Sequence, residues 1–325
     1  MKYDLYIKNG KVVSPQNTKE AGILVKDGKI EGFVYGDDDG IEASEVIDAA
    51  GKYVLPGLID IHVHFREPGL TYKEDFYTGS MAAACGGITT VFDMPNVKPI
   101  TSTVESLRLK ISEISNKAFV DYGLVGVVVA DNLGELEALA AEGISNYKIF
   151  MGTTVGNIPA PMDGGIIEAL RIIAGTGLRC GFHAENNDIL NYYTDLLKKQ
   201  GRTDPKAHVE GRPNIAEAEA ISRCILYARE TGCKIHIYHM SSKEGVGLVR
   251  QGKESGVDVT AETGPHYLLL DCSHMDKVGS MLKMNPPVRY PEDSSKLWEG
   301  LLDGTIEVIA TDHSPHTLEE KVFDN

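Results

Sequence analysis

After Pro56-Gly57 the chain settles into an alternation that few architectures can satisfy. Eight apolar, strand-like runs occupy residues 58–65, 88–94, 120–129, 146–152, 179–185, 234–241, 258–263 and 306–314. Helical stretches lie between them, with candidates at Tyr72–Cys85, Val104–Asn116, Leu133–Glu142 and Ala216–Thr231. Eight strands alternating with helices fit a closed, parallel (β/α)8 TIM-type barrel better than an open sheet. A chain of 325 residues is long enough for that fold. The longest gap, between the fifth and sixth strands, holds the polar segment "GRTDPKAHVEGRP" and reads as an excursion at the barrel mouth.

Residues 1–55 have a different texture. Short strands are punctuated by turns, with Asn9-Gly10 and Asp27-Gly28 as hairpin signals between apolar runs. The expected division is a small N-terminal β domain over 1–55 and an α/β barrel over 56–325. The chain stops at Asn325, soon after the eighth strand. The expectation is a truncated C-terminal end, with no room for a full eighth helix.

Composition narrows the function classes. A formal net charge of −15 argues against a nucleic-acid or anionic-membrane surface, since both select basic patches. The start "MKYDLYIKNGKVV" lacks the apolar core of a signal peptide, and no run of about 18 apolar residues suggests a membrane span. Five cysteines with no C-x-x-C spacing read as reduced thiols of a cytoplasmic protein.

The chemistry concentrates at strand ends. In "GLIDIHVHFREPG" a period of two puts Asp60, His62, His64 and Arg66 on one face, and Ile59, Ile61, Val63 and Phe65 on the other. A half-exposed strand could look like this, yet two neutral imidazoles two residues apart also suit one metal ion. Lys148 lies inside the apolar "YKIFM", where a buried ammonium is costly unless its charge is changed or paired. His183 ends the fifth strand, His239 the sixth and Asp312 the eighth. In a barrel, functional side chains come from the C-terminal ends of strands, so one shared metal site explains all six residues. His236, three residues before His239, is expected to point to the opposite face.

These motifs resemble the cyclic amidohydrolases, which include dihydroorotase, allantoinase and the hydantoinases. "DIHVHFREPG", the fourth-strand lysine, "FHAEN", "YHMSS" and "ATDHSPH" occur in the family's order over almost the whole chain. The resemblance implies a lysine carboxylated by CO₂ that bridges two divalent metals, usually zinc. By position, His62, His64, Lys148 and Asp312 would bind one ion, and Lys148, His183 and His239 the other. It also implies hydrolysis of a cyclic amide or the reverse ring closure, with Asp312 as the general base.

Substrate identity rests on other positions. Dihydroorotate carries a carboxylate beside its ring, which calls for a guanidinium. The resemblance to dihydroorotases assigns Arg66, Asn96 of "MPN" and His316 of "DHSPH" to that carboxylate, and Asn285 of "KMNPPVR" to the ring. "FHAEN" and "ETGPHYLLL" look more like the allantoinase and hydantoinase branch. The first expectation is therefore a dihydroorotase of de novo pyrimidine synthesis. Allantoinase or hydantoinase (dihydropyrimidinase) is the nearest alternative, and an inactive scaffold homologue is one from another class. The expected partners are a small-molecule substrate and identical chains in a dimer or tetramer.

Overall fold

The computed structural model describes residues 2–153, 156 and 158–322. The chain divides into two compact units, Met1–Leu58 and Ile59–Asn325.

The first unit is a five-stranded sheet. Its strands are β1 (Lys2–Val13), β2 (Thr18–Lys26), β3 (Lys29–Val34), β4 (Glu42–Asp48) and β5 (Tyr53–Val54). They run in the order β3-β2-β1-β4, with β5 also pairing β1. Asp27-Gly28 turns β2 into β3 with both residues at positive φ, as a tight hairpin requires. Asn9-Gly10 does not turn the chain. Asn9 takes φ +61 inside β1, and the register with β2 shifts between Ile7 and Gly10. The signal expected to make a hairpin makes a β-bulge, the other use of a left-handed residue beside glycine. A Cβ on Gly10 would lie 2.6 Å from Val54 Cγ2, so the residue must stay small.

The second unit is built on eight parallel strands. They are β6 (Leu58–Val63), β7 (Ile88–Asp93), β8 (Asp121–Val127), β9 (Asn146–Phe150), β10 (Cys180–His183), β11 (Ile235–Ile237), β12 (Val259–Thr263) and β13 (Val308–Ile309). Each neighbours the next in sequence order. A parallel bridge from Val63 to His313, with His64 N–H donating to His313 O at 2.8 Å, joins the first strand to the segment that follows the last. The expected eighth strand over 306–314 shrinks to Val308–Ile309, and the remainder becomes the segment that carries Asp312.

The connecting helices are α1 (Phe76–Cys85), α2 (Val104–Ile114), α3 (Leu136–Ala141), α4 (Asp163–Thr176), α5 (Asn187–Lys199), α6 (Lys206–Gly211), α7 (Asn214–Thr231) and α8 (Lys243–Glu254). Short α9 (Pro265–Leu269) and α10 (Met275–Val278) precede α11 (Pro291–Leu302), and α12 is Leu318–Lys321. α1 starts at Phe76, later than the expected Tyr72, because Asp75 caps it: its carboxylate accepts from Thr78 N–H at 2.8 Å. α2 stops at Ile114, and Asn116 beyond it takes φ +63. The polar excursion contains α6.

Strand parity assigns the two faces of the barrel wall. Tyr147, Cys180, Ile235 and Val259 stand side by side in register, and all four belong to the core shared with the helices. Leu139, Leu170, Ile221 and Val249 meet them from the helical side, each side chain fully buried. Burial of that kind contributes about 1.5–3 kcal/mol per residue. The next row, Lys148, Gly181, His236 and Thr260, therefore faces the barrel interior.

Candidate metal centre

The barrel seam delivers the first ligand group. Asp60 accepts from both Thr311 N–H and the Thr311 hydroxyl, which pins the segment after β13 against β6. One residue on, Asp312 Oδ1 stands 3.2 Å from His62 Nε2 and 3.0 Å from His64 Nε2. Ligating atoms of these three residues all lie within 4.8 Å of one another, a cluster that fits a metal site. Lys148 Nζ is 2.9 Å from the same His62 nitrogen.

The second group is a pair of imidazoles. His183 Nδ1 and His239 Nε2 face each other at 2.9 Å. The His239 ring lies 5.4 Å from that of His62, so the two groups adjoin. His239 and Asp312 hold φ at +36 and +48, left-handed values that cost a non-glycine residue free energy.

Outer-shell partners set the tautomers. A carboxylate can only accept, so His62 Nδ1 carries the proton donated to Glu262, and His183 Nε2 donates to Glu185 at 2.8 Å. His64 Nδ1 donates to Asn96 Oδ1 at 2.7 Å. In each case the nitrogen turned inward is left with its lone pair. His239 Nδ1 is buried without a hydrogen-bond partner among the described residues.

Electrostatics favour the same states. Burial pushes the imidazoles of His183 and His239 down, and that of His64 down to about 3, so they stay neutral. Burial raises the Asp312 carboxyl, and charge on His62, His64 or His239 beside it would draw it well below the usual range. Burial pushes Lys148 down to about 8. Its Nζ sits 4.4 Å from the Tyr238 ring centroid and 4.8 Å from that of Phe150.

A cavity of about 910 Å³ opens onto these groups. His64, Lys148, His183, His239 and Asp312 line it, as do Asn96, Asn285 and His316. Arg66 does not. Strand β6 ends at Val63, and Arg66 takes φ +65, so the two-residue alternation fails before reaching it. The guanidinium is buried behind the wall, donating to Ser314 Oγ at 2.7 Å and Pro315 O at 3.2 Å. Its Nη2 lies 3.4 Å from His316 Nε2, and its Nη1 has no partner among the described residues.

His236 corrects the sequence reading. It does not point away: β11 ends at Ile237, so parity is lost before His239, and both residues reach the interior. His236 Nε2 contacts Glu262 at 3.2 Å, which links it to His62 through one carboxylate. Glu262, Glu185 and Tyr238 also escaped the sequence reading. The inward parity of Glu262 on β12, two residues after Thr260, was the available signal.

The model of the amidohydrolase family matches residues 53–321. The chain belongs to this family. Its amidohydrolase relatives include an allantoinase of Bacillus licheniformis, 37% identical over 100% of this chain and 73% of its own. A dihydroorotase of Listeria monocytogenes is 38% identical over 97% of this chain and 72% of its own. The solved L-hydantoinase from Arthrobacter aurescens superimposes with a TM-score of 0.94 at 36% identity, covering 98% of this chain and 71% of that one. Within the family, the chain is a cyclic amidohydrolase, an enzyme that hydrolyses cyclic amides. Among the described residues, no helix of this amidohydrolase is long and apolar enough to cross a membrane.

Proposed function

We propose that the chain interconverts dihydroorotate and N-carbamoyl-aspartate at a centre for two divalent ions. The donor set supports two ions: the inward lone pairs of His62 and His64 meet Asp312, and that of His183 faces Nε2 of His239. Lys148 would join both groups as its carbamate. The amine attacks CO₂ and loses a proton, a reaction open only to its neutral form, and burial down to about 8 makes that form accessible. Zinc ions held there would supply Lewis acidity, activating water and polarising the ring amide carbonyl.

The chain's own groups do the rest. Asp312, as its carboxylate, takes the proton of the attacking water and passes it to the leaving ring nitrogen. Asn285 presents a buried Oδ1 without a partner among the described residues, suited to a ring N–H. Asn96 and His316 lie on the same cavity wall.

Arg66 carries the substrate choice. A buried guanidinium with one unpaired nitrogen, directly behind Ser314 and His316, is a charge and a donor in search of an anion. A second reading, allantoin or a hydantoin, is favoured by the names of several relatives and by the absence of Arg66 from the cavity wall. Ring opening should be assayed on dihydroorotate, allantoin and hydantoin with zinc-loaded protein. Turnover of dihydroorotate at least about ten-fold above the others supports the proposal; preference for a neutral ring overturns it. No turnover of any, with both ions bound, would mark an inactive scaffold.

A further inference from the structure

The polar excursion after α5 ends in a buried cation that takes no part in the chemistry described so far. Arg212 grips Glu185 through Nε, at 3.1 Å, and through Nη2. Glu185 is the carboxylate that fixes the His183 tautomer. The same Nη2 donates to Thr153 O at 3.1 Å, in the loop after β9. The Arg212 carbonyl accepts from Arg289 Nη1 at 2.7 Å, and Arg289 is anchored by the buried Glu217. One residue thus ties the excursion to the β9 loop, to the strap holding Asn285 and Arg289, and to a ligand imidazole. His62 and His64 have no such link, because their outer nitrogens go to Glu262 and Asn96.

We infer that Arg212 is a positioning residue for the His183–His239 half of the metal centre, acting through Glu185, so that filling this half depends on the excursion being in place. The inference rests on the two-ion reading above. Without the guanidinium, Glu185 would be a buried carboxylate with His183 as its remaining partner, free to draw the ring round. That change removes the Nδ1 lone pair from its place opposite His239. The His62–His64–Asp312 group, held by Asp60, Glu262 and Asn96, would be untouched.

The test counts ions rather than turnover. Purified zinc-loaded protein is titrated with a competing chelator, and the two ions are resolved by their release. Wild type should hold two. Arg212→Met and Glu185→Gln should each keep one ion at wild-type affinity and weaken the other by about 10–100-fold, the usual cost of losing an outer-shell partner. Arg212→Lys keeps the charge but not the two-pronged grip, and should fall between. Lys206→Ala, which removes an exposed ion pair to Asp276 on the same excursion, should leave both ions unchanged. If Arg212→Met does not fold, Arg212→Lys and Glu185→Gln carry the same test. Weakening of both ions alike, or of neither, overturns the inference. A wild type holding a single ion overturns the two-ion reading and this inference with it.

Discussion

The Tyr238 ring lies where a side chain on Gly181 would be. A Cβ built on Gly181 falls 2.0 Å from Tyr238 Cε2 and 2.5 Å from Cζ. The ring is held there by a 2.6 Å hydrogen bond between its hydroxyl and Asn146 Nδ2, packs 4.6 Å from the His62 ring, and forms the floor beneath Lys148. Gly181→Ala should therefore push the floor into the ligands. Overpacking of this kind costs about 1–3 kcal/mol, to be read by denaturant unfolding, and zinc content should fall with it. Wild-type stability and zinc content in the variant would show that the ring moves aside freely.

Lys148→Ala removes the proposed bridge. Zinc content and activity should both drop to a small fraction of wild type, and short carboxylic acids added with zinc should restore part of the activity. Full activity without rescue would exclude a bridging lysine.

Asp312→Asn keeps the size and one oxygen but removes the proposed base. A kcat loss of at least about 10²-fold is expected, in line with general acid–base contributions. Steady-state kinetics at saturating substrate check this, and a change confined to KM would contradict the role.

Arg66→Met retains the aliphatic bulk and deletes every donor. Charge-assisted hydrogen bonds contribute roughly 1.5–3 kcal/mol, so kcat/KM for dihydroorotate should fall at least about ten-fold. Residual activity on a ring amide without a carboxylate should change far less. Equal losses on both would mean that Arg66 supports the Ser314–Pro315 segment instead of the substrate.

Much of this site could be read from the strand ends. His62, His183 and Asp312 stand where barrel geometry puts reactive groups, and the apolar setting of Lys148 marked it as out of place. The misreadings of Arg66 and His236 share one cause: the period of two holds only within an extended strand. Arg66 lies past the end of β6 and His239 past the end of β11, both at left-handed φ, where parity no longer says which way a side chain points. Arg212 and Glu262 were harder to find for another reason. Each acts through a neighbour distant in the chain, Arg212 on Glu185 and Glu262 on His62, and such pairings exist only after folding.

The seam between β6 and the segment after β13 closes the barrel and, by the same few contacts, brings Asp312 to His62 and His64. Asp60 and Thr311, which pin it, are 251 residues apart in sequence. The first ligand group is thus among the most non-local features of the molecule, assembled from both ends of the barrel. A nascent chain on the ribosome can build strand after strand in order, yet it has no complete His62–His64–Asp312 set until residue 312 has emerged. That group is completed only by closure of the barrel, whereas His183 and His239 come from earlier in the chain.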